Sequence, residues 1–136
     1  MKVWHITKSL YGGAGTYALR LSRALCDQGI DSRVLCDEAG DEGEGQELSP
    51  VSGALPRFAT RVIRSMSHRM TSRAYQSLLG MEIYRGKQMP QKGDIIHLHG
   101  LTGWMGLRGL NALIPEGSPV FWTSHDLWPL SGGCIV

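Results

Sequence analysis

No apolar run in this 136-residue chain approaches the ~20 residues needed to cross a bilayer, so the sequence offers no membrane-spanning helix. Its opening, Met1-Lys2-Val3-Trp4-His5-Ile6, is too short and too polar for a secretory signal and reads as a β-strand. Cysteine is scarce. Cys26, Cys36 and Cys134 lack metal-ligand spacing such as C-x-x-C, and without a signal they point to the reducing cytoplasm. Cys26 and Cys36 lie in apolar-rich segments and are expected in the core. There is no internal repeat and no low-complexity tract. Acid is missing altogether from Pro50 to Met81, where Arg57, Arg61, Arg64, Arg69 and Arg73 fall. Just before this stretch crowd Asp37, Glu38, Asp41, Glu42, Glu44 and Glu47. The net charge of +2 therefore hides an acidic loop followed by a basic segment. No nucleic-acid motif accompanies the arginines, so nucleic acid is not an expected partner.

What is present suits one globular α/β domain, with 42% apolar residues. Residues 2–6 form a first strand. A loop from Thr7 ends in Gly12-Gly13-Ala14-Gly15, and Thr16 to Gln28 carries Ala18, Leu21 and Leu25 on one helical stripe, capped by Gly29. Ser32 to Cys36 is a second strand, completing a βαβ unit with a parallel sheet and a right-handed crossover. Residues 38–56 read as a flexible acidic loop. Arg57 to Leu79 reads as a long helix with one apolar and one basic face. The basic face is either an ordinary solvated surface or a contact with anionic lipid. Ile95 to His99 is a third strand, apolar enough to be buried on both faces; Leu107 to Leu113 is a short helix, and Val120 to Thr123 a fourth strand. No crossover helix follows, which predicts that the protein continues beyond Val136.

In such sheets ligands bind at the carboxyl ends of the strands, and four loops rich in Gly and polar residues fall there. The Gly12, Gly13 and Gly15 loop opens a helix, where backbone N–H groups attract phosphate or sugar; the bland alternative is a flexible turn. Gly13 to Ala18 also fits the dinucleotide pattern G-x-G-x-x-A, with Asp37 as the ribose partner, but Thr7 to Tyr11 lengthen the loop beyond the usual fingerprint. His97 and His99 share one strand face, and no third ligand stands nearby in sequence, so no metal is expected. His97 reads as a core histidine and His99 as a substrate-binding residue. His125 and Asp126 follow the last strand. They form either a catalytic pair, with the histidine bonding a sugar hydroxyl or a developing charge, or a pair that stabilises the loop.

Three segments resemble the N-terminal domain of a family 4, GT-B-fold glycosyltransferase: Val3 to Leu25, Asp94 to Gly100, and Thr123-Ser124-His125-Asp126-Leu127-Trp128-Pro129-Leu130-Ser131-Gly132-Gly133-Cys134. The last is similar to a loop of bacterial enzymes that build exopolysaccharide, colanic-acid-like or O-antigen chains. The resemblance implies a Rossmann-like domain that holds the acceptor. It implies sugar transfer from a nucleotide-sugar, usually with retention, with no required metal and no resident cofactor. It places Gly12 and Gly13 near the donor phosphates and His125 near the reacting sugar. Lipid-linked acceptors would give the basic helix a reason to touch the inner face of the membrane. The nucleotide pocket and paired glutamates of such enzymes belong to a second domain outside this sequence, which implies a chain inactive alone. Two other readings stand beside it: a noncatalytic carbohydrate- or lipid-binding module, and a dinucleotide-binding oxidoreductase domain.

Overall fold

The computed structural model describes residues 1–38, 45–47, 49–51, 83–102 and 104–126. Strand β1 (Val3–Ser9) leads into α1 (Gly12–Asp27) and β2 (Ser32–Glu38). The short strands β3 (Gln46–Glu47), β4 (Ser49–Val51) and β5 (Ile83–Arg85) follow. The described chain ends with β6 (Ile95–Leu98), α2 (Leu107–Leu113) and β7 (Val120–Trp122). Five strands form a sheet in the order β3-β2-β1-β6-β7, every neighbouring pair parallel; β4 and β5 form a separate antiparallel pair. This is a Rossmann-like α/β sheet. From β1 the chain moves outward to β2 on one side and returns to β6 on the other. The topological switch point therefore lies between β1 and β6.

Several boundaries differ from the sequence reading. Strand β1 runs on to Ser9 and α1 starts at Gly12, so the connection is two residues, Leu10 and Tyr11, and Gly13 and Gly15 lie inside the helix. The polar run Thr7-Lys8-Ser9 hid the strand's end because β-pairing here is set by neighbours: Thr7 pairs with Cys36 and Ser9 with Glu38. The objection to a dinucleotide site drawn from a long loop thus does not hold. Asp37 lies within β2 rather than in a loop, and β3 and β4 fall inside the stretch read as loop. The long basic helix over Arg57, Arg61, Arg64, Arg69 and Arg73 lies outside the described residues, as does everything after Asp126. No helix among the described residues is long and apolar enough to cross a membrane.

Alternation along the strands gives the sheet two different faces. One carries Trp4, Ile6, Leu35, Ile96 and Leu98, which pack with Leu101, Trp104, Met105 and Leu113 in the main core, under α2. The other carries Val34 and Cys36, which pack with Leu10 and with Leu19 of α1. On this α1 side the surface is partly polar. Ser22 and Ser32 share a 2.9 Å hydroxyl bond, and His5 and Thr7 are fully enclosed. Cys36 is buried as expected, but Cys26 is exposed on α1, its thiol 3.4 Å from the Ser32 carbonyl. The buried positions of α1 are Gly15, Ala18 and Ser22, a stripe of small residues that lets the helix lie close to the sheet. At the sheet's outer edge, Val120, Phe121 and Trp122 of β7 are all exposed.

Asp94 closes the amino-terminal rim. Its carboxylate accepts from Trp4 Nε1 at 2.9 Å, Lys2 N at 2.8 Å and Gln91 N at 3.0 Å. Burial would raise its pKa, but the three N–H donors outweigh that and hold the carboxyl below its usual range.

Two stability outcomes are expected. A Cβ on Gly15 would collide with the backbone of Ser9 and Leu10, which cannot swing aside. Gly15→Ala should therefore cost roughly 1–3 kcal/mol, the usual scale of overpacking, read from urea unfolding. Asp94→Asn should lower the urea midpoint at pH 7. Because the native pKa of Asp94 is depressed, its contribution is present above the unfolded carboxyl range and fades as pH falls through the native value, so the two proteins should converge in acid.

Candidate functional site

The carboxyl rim of the sheet gathers four histidines. His5 and His97 are register partners on β1 and β6, so their side chains leave the sheet on the same face. His99, two residues beyond His97, returns to that face just past the strand end, where its N–H still bonds the Ile6 carbonyl at 2.9 Å. His125 arrives from the loop after β7. The rings meet in a chain: His5 Nδ1 lies 3.1 Å from His99 Nε2, and His99 Nδ1 lies 3.3 Å from His125 Nε2. His97 stands beside this chain, its ring centre 4.3 Å from that of His99 and its Nε2 2.8 Å from the Thr123 hydroxyl. Tyr17 of α1 covers the outer end, with ring centres 5.8 Å from His99 and 5.6 Å from His125.

Burial grades along this chain. His5 and His99 are fully enclosed, His97 is half-buried, and His125 is exposed. Desolvation, reinforced by the neighbouring histidines, pushes His5 down to about 4 and His99 down to about 3. Burial and then His125 lower His97 as well. The two enclosed rings are therefore neutral near pH 7, and each bond in the chain needs one N–H and one lone pair. That leaves two proton arrangements. With His5 Nδ1–H donating to His99 Nε2, His99 Nδ1–H donates to His125 Nε2. With the bonds reversed, His125 Nε2–H donates to His99 Nδ1, and His99 Nε2–H donates to His5 Nδ1. Moving a proton into one end of the row reverses every bond in it. His5 Nε2, at the inner end, has no hydrogen-bond partner among the described residues.

The site residues read from the sequence gather as follows. Gly12 and Gly13 stand exposed at the start of α1, at the same rim as His125; Gly12 takes a left-handed φ of 79° that favours glycine. Gly15 is buried against the β1–α1 turn, so it serves the close approach of that turn rather than facing a ligand. Gly100 sits where a Cβ would come 3.1 Å from Ala14, so the loop after β6 abuts the first turn of α1. His99 is enclosed between His5 and His125 rather than open at the strand end, and His97 is the more accessible of the two. Asp126 accepts a 2.8 Å bond from the Thr102 hydroxyl, which ties the loop after β7 to the loop after β6. His5, Tyr17, Thr102 and Thr123 were not anticipated as neighbours of the site. Only the alternation His5-Ile6-Thr7 hinted that His5 shares a face with whatever pairs beside it.

With this geometry in view, the family is decided by comparison. The family model for Glycosyltransferase Family 4 matches residues 11–133. The chain belongs to glycosyltransferase family 4. Neither a search of curated proteins nor a search of solved structures returns a match. The family 4 match runs from the β1–α1 turn through the loop that carries His125, so it takes in every rim residue except His5.

Acid should undo this cluster. For a histidine whose native pKa lies below its unfolded value, the unfolded chain takes up protons first, so stability is full above about 6.5 and is lost as pH falls towards 4 and then 3. The urea midpoint should drop steadily over that range. A His5→Gln, His99→Gln double variant should show a flatter profile below pH 6.5, and an unchanged slope would mean that these rings are not the groups being protonated.

Proposed function

We propose that this chain is the acceptor-side domain of a two-domain, GT-B-type glycosyltransferase. It would act in bacterial polysaccharide synthesis of the exopolysaccharide, colanic-acid or O-antigen kind, moving a sugar from a nucleotide-sugar to a glycan or lipid-linked acceptor. The observation that carries this reading is the meeting of His125, His99 and Tyr17 at the switch-point rim, beside the glycine-rich start of a 16-residue helix. Glycosyl transfer needs an acceptor hydroxyl held at the anomeric carbon while a phosphate leaves. The exposed backbone N–H groups around Gly12 and Gly13, at the positive end of α1, suit the leaving phosphates. His125 suits the reacting sugar. Its Nε2 is fixed by His99, so the ring is oriented and Nδ1 is the nitrogen left for a sugar hydroxyl. Asp126, bonded to Thr102, holds the loop that carries His125 and takes a positioning part beside it.

The donor is a substrate, and the reading calls for no resident cofactor. Binding the nucleotide falls to a second domain, so this domain by itself would bind acceptor without turning over. Work on a lipid-linked acceptor at the cytoplasmic face of the membrane would bring Arg57, Arg61, Arg64, Arg69 and Arg73 against anionic headgroups.

The test uses the domain joined to its second half, with release of nucleoside diphosphate as readout. His125→Ala should lower kcat by about 100-fold or more, the usual scale for a lost acid–base group, while far-UV circular dichroism stays unchanged. Unaltered turnover would remove His125 from the reaction. Calorimetry on the isolated chain separates the rival readings. Glycan binding with no second half able to support transfer would favour a noncatalytic module, and tight NAD binding an oxidoreductase domain.

A further inference from the structure

His5, His97 and His99 carry a feature that sugar transfer does not use. One ring nitrogen from each lies within 4.8 Å of the others, on one sheet face between the two central strands. We propose that these three histidines form an inner site for a divalent metal ion of the zinc type. Imidazole is the ligand class that suits zinc, copper and nickel, and three imidazoles with an open fourth position is a recurring zinc arrangement.

The local chemistry fits in three respects. His5 Nδ1 and His99 Nε2 stand 3.1 Å apart. With a metal–nitrogen bond of about 2.05 Å, two ligands of a tetrahedral zinc are separated by about 3.3 Å, so an ion could replace the shared proton with little movement of these two rings. The three nitrogens lie within 4.8 Å of one another, so binding would draw them together by up to about 1.5 Å around His97, the least enclosed of the three. Second, the outer nitrogens of two of the three rings already have hydrogen-bond partners. His99 Nδ1 faces His125 Nε2, and His97 Nε2 faces the Thr123 hydroxyl, leaving Nδ1 of His97 for the ion. Third, His5 and His99 are both fully enclosed, so an ion held between them would be shielded from bulk water. The ion would clamp β1 to β6 and, through His99, set the ring of His125. It would not itself touch substrate.

The test is zinc titration of the chelator-stripped 136-residue chain, by competition with a chromophoric chelator, together with the visible spectrum after Co2+ loading. One equivalent should bind. His97→Ala should weaken binding at least tenfold, and Cys26→Ala, which alters the exposed thiol, should leave it unchanged. His97 is half-buried, so its variant is the one best suited to stay folded. Should it fail to fold, the wild-type Co2+ spectrum still decides. Tetrahedral bands without a thiolate charge-transfer band support the histidine site, and a thiolate band overturns it. No binding, or zinc held equally well by His97→Ala, overturns it too. A loss of zinc binding would leave the glycosyltransferase reading intact, because that reading stands on the turnover of His125→Ala.

Discussion

The parallel register between β1 and β6 sets the terms for the rest of the molecule. Val3 opposes Ile95, His5 opposes His97, and Ile6 opposes Leu98. A slip of β6 by one residue would turn His97 into the main core and push Ile96 and Leu98 towards the α1 face. Two things hold the register. The apolar face under α2 accepts only the observed set, and at the far rim Asp94 bonds both Lys2 and Trp4, pinning the start of β6 to the start of β1. One rim of the sheet is thus closed by a carboxylate that accepts from three N–H groups, while the other is left to loops and imidazoles.

That division of labour makes the protein's chemistry affordable. The enclosed histidines lie on the face where α1 packs with small residues, Gly15, Ala18 and Ser22, so the helix comes close to the sheet, and Tyr17 of α1 covers the outer rings. Their burial is tolerated because they stay neutral and hydrogen-bond one another. That constraint applies equally to His5 and His99, both fully enclosed, and relaxes only at His125, which reaches solvent. The outer end of the row is therefore exposed and the inner end enclosed.

Much of this was legible in the sequence. The Ile95-Ile96-His97-Leu98 strand, the Leu107 to Leu113 helix, the parallel βαβ start and the shared rim of the glycines and His125 all follow from apolar pattern and from the rule that ligands gather at strand carboxyl ends. The end of β1 did not, because Thr7, Lys8 and Ser9 carry no apolar signal and owe their strand state to pairing with β2. Cys26 was misplaced because a helix of 16 residues turns some apolar-looking positions outward whatever their neighbours suggest. The third histidine was missed for a deeper reason. Spacing along a chain reveals His97 and His99 together, but His5 joins them only through register, and register is a property of two strands that no local window contains.

The row of rings has one consequence for heredity. His5 and His99 are 94 positions apart, and His99 and His125 are 26 apart, yet each supplies what its neighbour must bond. An apolar replacement of the middle ring strands a nitrogen on both sides, whereas exchanging all three together leaves none stranded. Mutations at these codons should therefore be accepted in concert across lineages, and the three distant positions should drift as one character rather than as three.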